Sequence, residues 1–253
     1  MELPGIGLSQ EDRKMLTSKV TIIINSAATV KFDEKLSVAT AINVKGTVEV
    51  IKLAKECRNL KAFTHVSTAY SNTHLNYIEE KIYEPPMTVE ALEAIAQLDD
   101  DLIETILPTI LGKRPNTYCL TKAVAEEAVR IHAEGMPVCI VRPSIVISTY
   151  EEPVRGWTDS VYGPTGLVVG IGTGVLRTMY MDLNKVADLV PVDLTVNAII
   201  ASAYHTANSF KEKYYGFNPT NSYYMFRFYN FFLHYLPALL VDVYCALTGK
   251  RRA

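Results

Sequence analysis

Hydrophobic residues in this chain alternate between short β-branched runs and longer stretches of helical period. Ser9, followed by Asp12, marks a helix start, because a serine side chain can accept from free amides of the first turn and an acid there complements their partial charge. A short helix over residues 11–17 follows. Residues 20–25, Val-Thr-Ile-Ile-Ile-Asn, form a compact apolar run of the kind found in strands buried on both faces. Residues 36–57 carry Val44, Val48, Ile51 and Leu53 on one broad face and predict a long helix. A second strand is expected over 62–66. One or two helices are expected over 88–111, closing near Pro108. Asn116 caps a strong helix over 117–133, rich in Ala and Glu and ended by Gly135 and Pro137. A third strand over 138–141 leads into Arg142-Pro143. Residues 151–184 are richer in Gly, Pro and Thr with weak periodicity, the pattern of a substrate-covering loop region. Residues 193–207 return to helix.

Strands alternating with helices predict an α/β fold, a parallel sheet with helices on its faces. The hydrophobic fraction of 49% and charged fraction of 21% over 253 residues suit one folded domain and a small appendage. The boundary is placed at 207/208, where a tract dense in aromatics begins. A formal net charge of −2 excludes the basic field of a nucleic-acid binder. Cys57, Cys119, Cys139 and Cys245 are scattered without metal-ligand spacing and read as reduced thiols of an intracellular protein. Residues 226–247 are the one membrane-like stretch. Arg227, Asn230, His234, Pro237 and Asp242 interrupt it, so it reads as a buried or interfacial amphipathic segment through which membrane association is expected.

Four patterns carry chemistry. Tyr118 and Lys122 stand four residues apart at the start of the 117–133 helix and so share a face. A phenol beside an ammonium can protonate a carbonyl oxygen as the carbon receives a hydride, and the ammonium is expected to lower the phenol's pKa. A second pair of this spacing, Tyr77 and Lys81, lies in a charged, Pro-bounded stretch with no helical face, where Glu79 and Glu80 compete for the lysine. Ser67 and Thr68 follow the second strand, where a hydroxyl faces the crevice that binds ligands in open α/β sheets and can stabilise charge on a carbonyl oxygen. Asn25-Ser-Ala-Ala28 and Arg142-Pro-Ser-Ile145 also leave strand ends and offer small or rigid surfaces to a flat ligand. Taken singly, each pattern equally describes a turn cap or close packing.

Together and in this order they resemble the alcohol-forming fatty acyl-CoA reductases of the extended short-chain dehydrogenase/reductase superfamily. The resemblance rests on Ala27-Ala-Thr-Val-Lys-Phe-Asp33, Ile42-Asn-Val-Lys-Gly-Thr47, His65-Val-Ser-Thr-Ala-Tyr70, Ile78-Glu-Glu80 with Tyr83, Asn116-Thr-Tyr-Cys-Leu-Thr-Lys-Ala123 with Glu126, Val141-Arg-Pro-Ser-Ile-Val146, Gly156-Trp-Thr-Asp159 and Val190-Pro-Val-Asp193 with Asn197. It covers residues 1–207, and residues 234–242 resemble the region that follows. It implies a Rossmann-like sheet and an NADPH-dependent reduction of a fatty acyl-CoA to aldehyde and then alcohol. Tyr118 would be the proton donor, Lys122 the ribose-binding and tuning cation, and Thr68, with Ser67 as second candidate, the carbonyl-polarising hydroxyl. Ala27, Pro143 and Ile145 would line the cofactor cleft. It also implies a peroxisomal or endoplasmic reticulum membrane. Two departures stand out. No strand and Gly-rich turn of the kind that grips a pyrophosphate precedes Val20, and Gly5-Ile-Gly7 is no substitute. The stretch before residues 234–242 is also short. The expectation is therefore a fragment lacking the opening strands and phosphate loop. The open alternatives are another extended-family enzyme acting on a nucleotide-sugar or sterol, and a non-catalytic relative that binds lipid or a partner.

Overall fold

A computed structural model describes residues 4–182 and 184–209, within the first of the chain's two compact units, 1–212. The expected appendage over 208–253, its membrane-like stretch and Cys245 lie outside the described residues, apart from 208 and 209. Cys57, Cys119 and Cys139 are free thiols.

Helix α1 (Gln10–Lys19) starts where expected: Ser9 Oγ accepts from the Asp12 amide at 3.1 Å and donates to its carboxylate at 2.7 Å. Strands β1 (Ile22–Asn25), β2 (Ala62–Val66) and β3 (Val138–Val141) form one parallel sheet in that order. Its register pairs Asn25 with His65, and Val66 with Val141. All three C-terminal ends therefore open on one edge. Between β1 and β2 run α2 (Leu36–Thr40), a π-helical turn over Ala41–Lys45 and α3 (Gly46–Glu56). Between β2 and β3 run a 3-10 turn (Ala69–Asn72), α4 (Val89–Ile95), α5 (Asp100–Leu111) and α6 (Thr117–His132). Ile51 and Ala54 of α3, Phe63 of β2 and Val129 of α6 pack into one cluster beneath the sheet. Leu36, Val44, Leu92, Ile103, Leu120 and Val124 build a second cluster between helices.

The 88–111 stretch is two helices and ends at Leu111 as expected, three residues past Pro108, where Gly112 stops α5 with a φ of 57° that suits a residue without a β-carbon. Two expectations are corrected. Residues 151–184 are not all loop. Helix α7 (Pro164–Gly172) lies within them, with proline at its first position and Gly166 where a β-carbon would sit 2.1 Å from the Val161 carbonyl oxygen. Finally, Ile145 and its neighbours are a strand: β4 (Ile145–Ile147) pairs in parallel with β5 (Leu189–Pro191) in a second, two-stranded sheet. Helix α8 (Val192–Ser209) leaves β5 and lies along β2 and β3.

The loop after β4 is tied down at two points. Buried Thr149 accepts the Trp157 amide at 2.9 Å through its hydroxyl and donates its own amide to the Trp157 carbonyl at 3.1 Å. Asp193 accepts the amides of Tyr150 and Glu151 at 2.9 Å each and of Glu152 at 3.2 Å. These amides, the Tyr150 amide first, hold the Asp193 carboxyl down at about 2, from 3.8. A lowered carboxyl pKa contributes stability above pH 3.8 and loses it as pH falls through about 2. Asp193→Asn should therefore melt below the native chain at pH 7, and the gap should close between pH 4 and pH 2 in thermal scans.

Candidate active site

Helix α6 brings the candidate residues together. Asn116 caps it by accepting the Cys119 amide at 2.9 Å, and α6 then places Lys122 at the end of β2 and Val129 against Phe63 within the strand. Tyr118, Lys122 and Glu126 lie at four-residue steps and so present one face. Lys122 is 3% exposed, and its ammonium donates to the Val66 carbonyl at 2.6 Å, at the end of β2. Thr68, two residues on, accepts the Tyr70 amide at 3.2 Å, so its proton is free for an oxygen; the Tyr118 hydroxyl is its hydrogen-bonding neighbour.

The electrostatics differ from the simplest expectation. Burial pushes the Tyr118 phenol up from 10, hydrogen bonding with Thr68 pulls it back in part, and Lys122 plays no resolved part. The lysine does not lower the phenol because, with its own pKa brought to about 8, it has lost its charge by the pH at which the phenol titrates. Desolvation brings Lys122 down to about 8, against the opposing charge of Glu126. Tyr118 is thus a phenol, and Lys122 remains an ammonium at neutral pH.

The other site residues fall around this pair. The Ser67 hydroxyl donates to the Glu126 carboxylate. Ala27 is exposed beyond the end of β1, while Pro143 and Ile145 are half-buried after β3. The Pro143 carbonyl accepts the Ala69 amide at 2.9 Å, and the Ile145 amide is taken by Asp188 at 3.1 Å. Ile145 can therefore line a cleft but has no free amide. The competing pair behaves differently: Tyr77 is 79% exposed outside any helix, and Lys81 pairs with Glu79.

Three residues quoted in the sequence blocks had no assigned role, yet they organise the site. Glu126, 3% exposed in its side chain, accepts from Ser67, from Ser71 at 3.1 Å, and from Arg142 through Nε at 2.9 Å and a terminal nitrogen at 2.7 Å. Arg142 continues to the Lys81 carbonyl at 2.8 Å. Asn43, in the π-helical turn, exchanges hydrogen bonds with the Thr29 backbone at 2.9 and 3.3 Å and donates to Thr121 at 2.9 Å, fixing the Ala27 loop to α6. Single π-turns recur at functional positions. Under the site, Asn25 donates to His65 Nδ1 at 3.2 Å, which puts the ring proton on Nε2. Burial, then the Lys122 charge, keeps His65 well below 6.5 and neutral.

These residues fit a nicotinamide cofactor. The Lys122 ammonium has three donors and, among the described residues, one acceptor, which leaves two for a ribose diol. The exposed Ala27 and rigid Pro143 flank the same edge.

Two outcomes follow from this wiring. Removing Glu126 takes the carboxylate from half-buried Arg142 and the shared acceptor from Ser67 and Ser71, so Glu126→Ala should cost about 2 kcal/mol, roughly 4–8 °C in Tm. For Lys122, the folded pKa of about 8 lies below the ordinary 10.5. The unfolded chain binds the extra proton between those values, so native stability measured against Lys122→Met should rise as pH climbs from 8 to 10.5 in denaturant titrations.

Residues 1–199 match the NAD-binding family described as Male sterility protein. The chain is 50% identical over 208 residues to "Fatty acyl-CoA reductase wat" of Drosophila melanogaster, covering 82% of this chain and 40% of that protein. It is 37% identical over 286 aligned positions to "Fatty acyl-CoA reductase 1" of Rattus norvegicus, covering 98% of this chain and 56% of the relative. The chain thus spans about half the length of the curated relatives it matches. Among solved structures, the terminal R domain of the myxalamid PKS-NRPS pathway superposes with a TM-score of 0.54 at 25% identity, over 78% of this chain and 44% of that one. UDP-glucuronic acid 4-epimerase from Bacillus cereus, solved with NAD, superposes with a TM-score of 0.50 at 14% identity over 80% of this chain and 54% of that one, a likeness of fold. The chain belongs to the fatty acyl-CoA reductases of the extended short-chain dehydrogenase/reductase superfamily.

Proposed function

We propose that this protein reduces a long-chain fatty acyl-CoA with NADPH to the aldehyde and then to the fatty alcohol. The observation that carries the reading is the convergence of Tyr118 with Thr68, and of Lys122 with the Val66 carbonyl, at one strand end. NADPH, when bound, supplies a hydride to the carbonyl carbon in each of two rounds. Lys122 holds a ribose diol with its two spare donors, and Pro143, Ile145 and Ala27 line the cleft. Thr68 donates to the carbonyl oxygen, and Tyr118 Oη gives that oxygen its proton. In the first round the hydroxyl so formed returns its proton to the Tyr118 oxygen as the carbonyl re-forms, the thioester's carbon–sulfur bond breaks and CoA leaves as thiolate, so the aldehyde remains. In the second round the same proton transfer yields the alcohol. The raised Tyr118 pKa suits this role, because the proton stays on the phenol until the far more basic alkoxide forms.

A membrane-meeting role for residues 208–253, at peroxisome or endoplasmic reticulum, belongs to the same proposal. Among the described residues no helix is long and apolar enough to cross a membrane.

Tyr118→Phe tests the reading. Thiol release from palmitoyl-CoA in the presence of NADPH should fall roughly 10²–10⁴-fold, with the melting temperature held. Turnover of UDP-sugars but not of acyl-CoA would overturn the substrate assignment. Equal thiol release by variant and native chain would remove Tyr118 from the chemistry.

A further inference from the structure

Exposed apolar side chains are common on this chain, and exposure alone marks nothing. Phe32 is set apart by what it touches and by how its loop is held. Its side chain is 64% exposed, yet its ring packs on the Tyr118 ring, with centroids 5.8 Å apart and planes tilted by 43°. That separation lies within the range of attractive aromatic pairs. The Tyr118 hydroxyl meanwhile keeps to Thr68. Phe32 therefore borders the reacting phenol at its ring and still shows most of its own surface to solvent.

The loop that carries Phe32 is tied at both ends. At one end Asn43 accepts the Thr29 amide at 2.9 Å and donates to the Thr29 carbonyl at 3.3 Å, while donating also to Thr121 of α6 at 2.9 Å. At the other, the Thr117 hydroxyl, at the start of α6, donates to the Glu34 carbonyl at 2.9 Å. Thr117 and Thr121 flank Tyr118 in the chain, so Phe32 and the phenol are referred to the same stretch of helix. Such support from neighbouring hydrogen bonds is what holds a functional side chain in place. A fixed loop that keeps an aromatic ring outward forgoes the burial a phenylalanine ordinarily gains, and an apolar ligand laid on the ring restores it.

The chemistry of the substrate decides what covers the ring. On the acyl-CoA reading, which this step rests on, two arms leave the carbonyl carbon that meets Tyr118. The sulfur arm continues into a chain with amide groups, which need hydrogen-bond partners that a phenyl ring does not supply. The acyl arm is a run of methylenes, which gain by leaving water for an apolar surface.

We propose that Phe32 is a specificity-determining residue whose exposed ring is the apolar wall for the first methylenes of the acyl chain, while the carbonyl oxygen meets Tyr118 and Thr68. The contact is the same before and during hydride transfer, so it sets affinity for the chain rather than the rate of the chemical step.

Calorimetric titration of the 253-residue chain with octanoyl-CoA and acetyl-CoA tests this. Phe32→Ala should weaken octanoyl-CoA about tenfold, the worth of nearly two methylenes, and should change acetyl-CoA, which has no methylene, by less than about twofold. Phe32→Leu should restore most of the octanoyl-CoA affinity. In thiol release from palmitoyl-CoA with NADPH, Phe32→Ala should raise KM with kcat held. An equal loss for both thioesters, an unchanged octanoyl-CoA affinity, or no octanoyl-CoA binding by the native chain would each overturn the proposal. A fall in kcat at unchanged KM would overturn it as well, and would make Phe32 a support that orients Tyr118. Far-UV circular dichroism reports folding; if Phe32→Ala unfolds, Phe32→Gln decides by the same comparison. Octanoyl-CoA binding that depends on Phe32, in a native chain that releases no thiol, would retain the wall and reject the reductase reading alone.

Discussion

The ion pair between half-buried Arg142 and buried Glu126 holds the working edge of this fold together. Burying a carboxylate costs several kcal/mol, and only good geometry with satisfied lone pairs offsets that. Both conditions are met: the contact is two-pronged at 2.7 and 2.9 Å, and Ser67 and Ser71 donate to the same carboxylate. The pair therefore contributes little net stability by existing, but its geometry is strongly enforced. It joins the end of β3, the turn after β2 and the middle of α6. Thr68 sits between the two serines, so its direction is set by a carboxylate it does not touch.

Parallel pairing makes such a junction possible. Because Asn25, Val66 and Val141 end at the same level, the segments that follow them meet at one edge, and the tethers there come in pairs. The Pro143 carbonyl takes the Ala69 amide, and Asn43 takes the Thr29 backbone while reaching Thr121. An ordinary α-turn at residues 41–45 would rotate Asn43 relative to α6. The wider π-turn directs it to both partners at once.

Much of this was legible in the sequence, and the limits are physical. The β2 bounds and the α6 cap were readable because a strand run flanked by breakers and an Asn cap are local signals. The β4–β5 pairing was not. Each strand has three residues, too few for a period, and the partners Ile145 and Leu189 are far apart in sequence. Helix α7 hid because its glycines read as loop, although Gly166 is demanded by a close carbonyl. The end of α5 was legible because Pro108 and Gly112 are both breakers, and a proline late in a helix loses few bonds before Gly112 ends it. Within the site, the residue types at Tyr118, Lys122 and Thr68 were visible. Glu126 and Asn43 were only members of matching blocks, since a positioning residue acts through contacts that spacing does not encode.

The sign of the Tyr118 shift shows why burial has to be weighed against spacing. A lysine one helical turn away favours phenolate in water. Here burial acts on both groups, and it acts in opposite directions on an acid and on a base. It raises the phenol from 10 and lowers the ammonium from 10.5 to about 8, so two pKa values that are nearly equal in water move apart. Unopposed, that trend would carry the lysine further down, away from the charged form that a ribose and a developing oxyanion require. Glu126 opposes it from the next turn of α6, and the result, about 8, lies on the charged side of neutrality. The carboxylate that orients the β2 turn therefore also favours the charged form of Lys122. A single side chain couples the placement of the carbonyl-polarising hydroxyl to the charge state of the cation beside it.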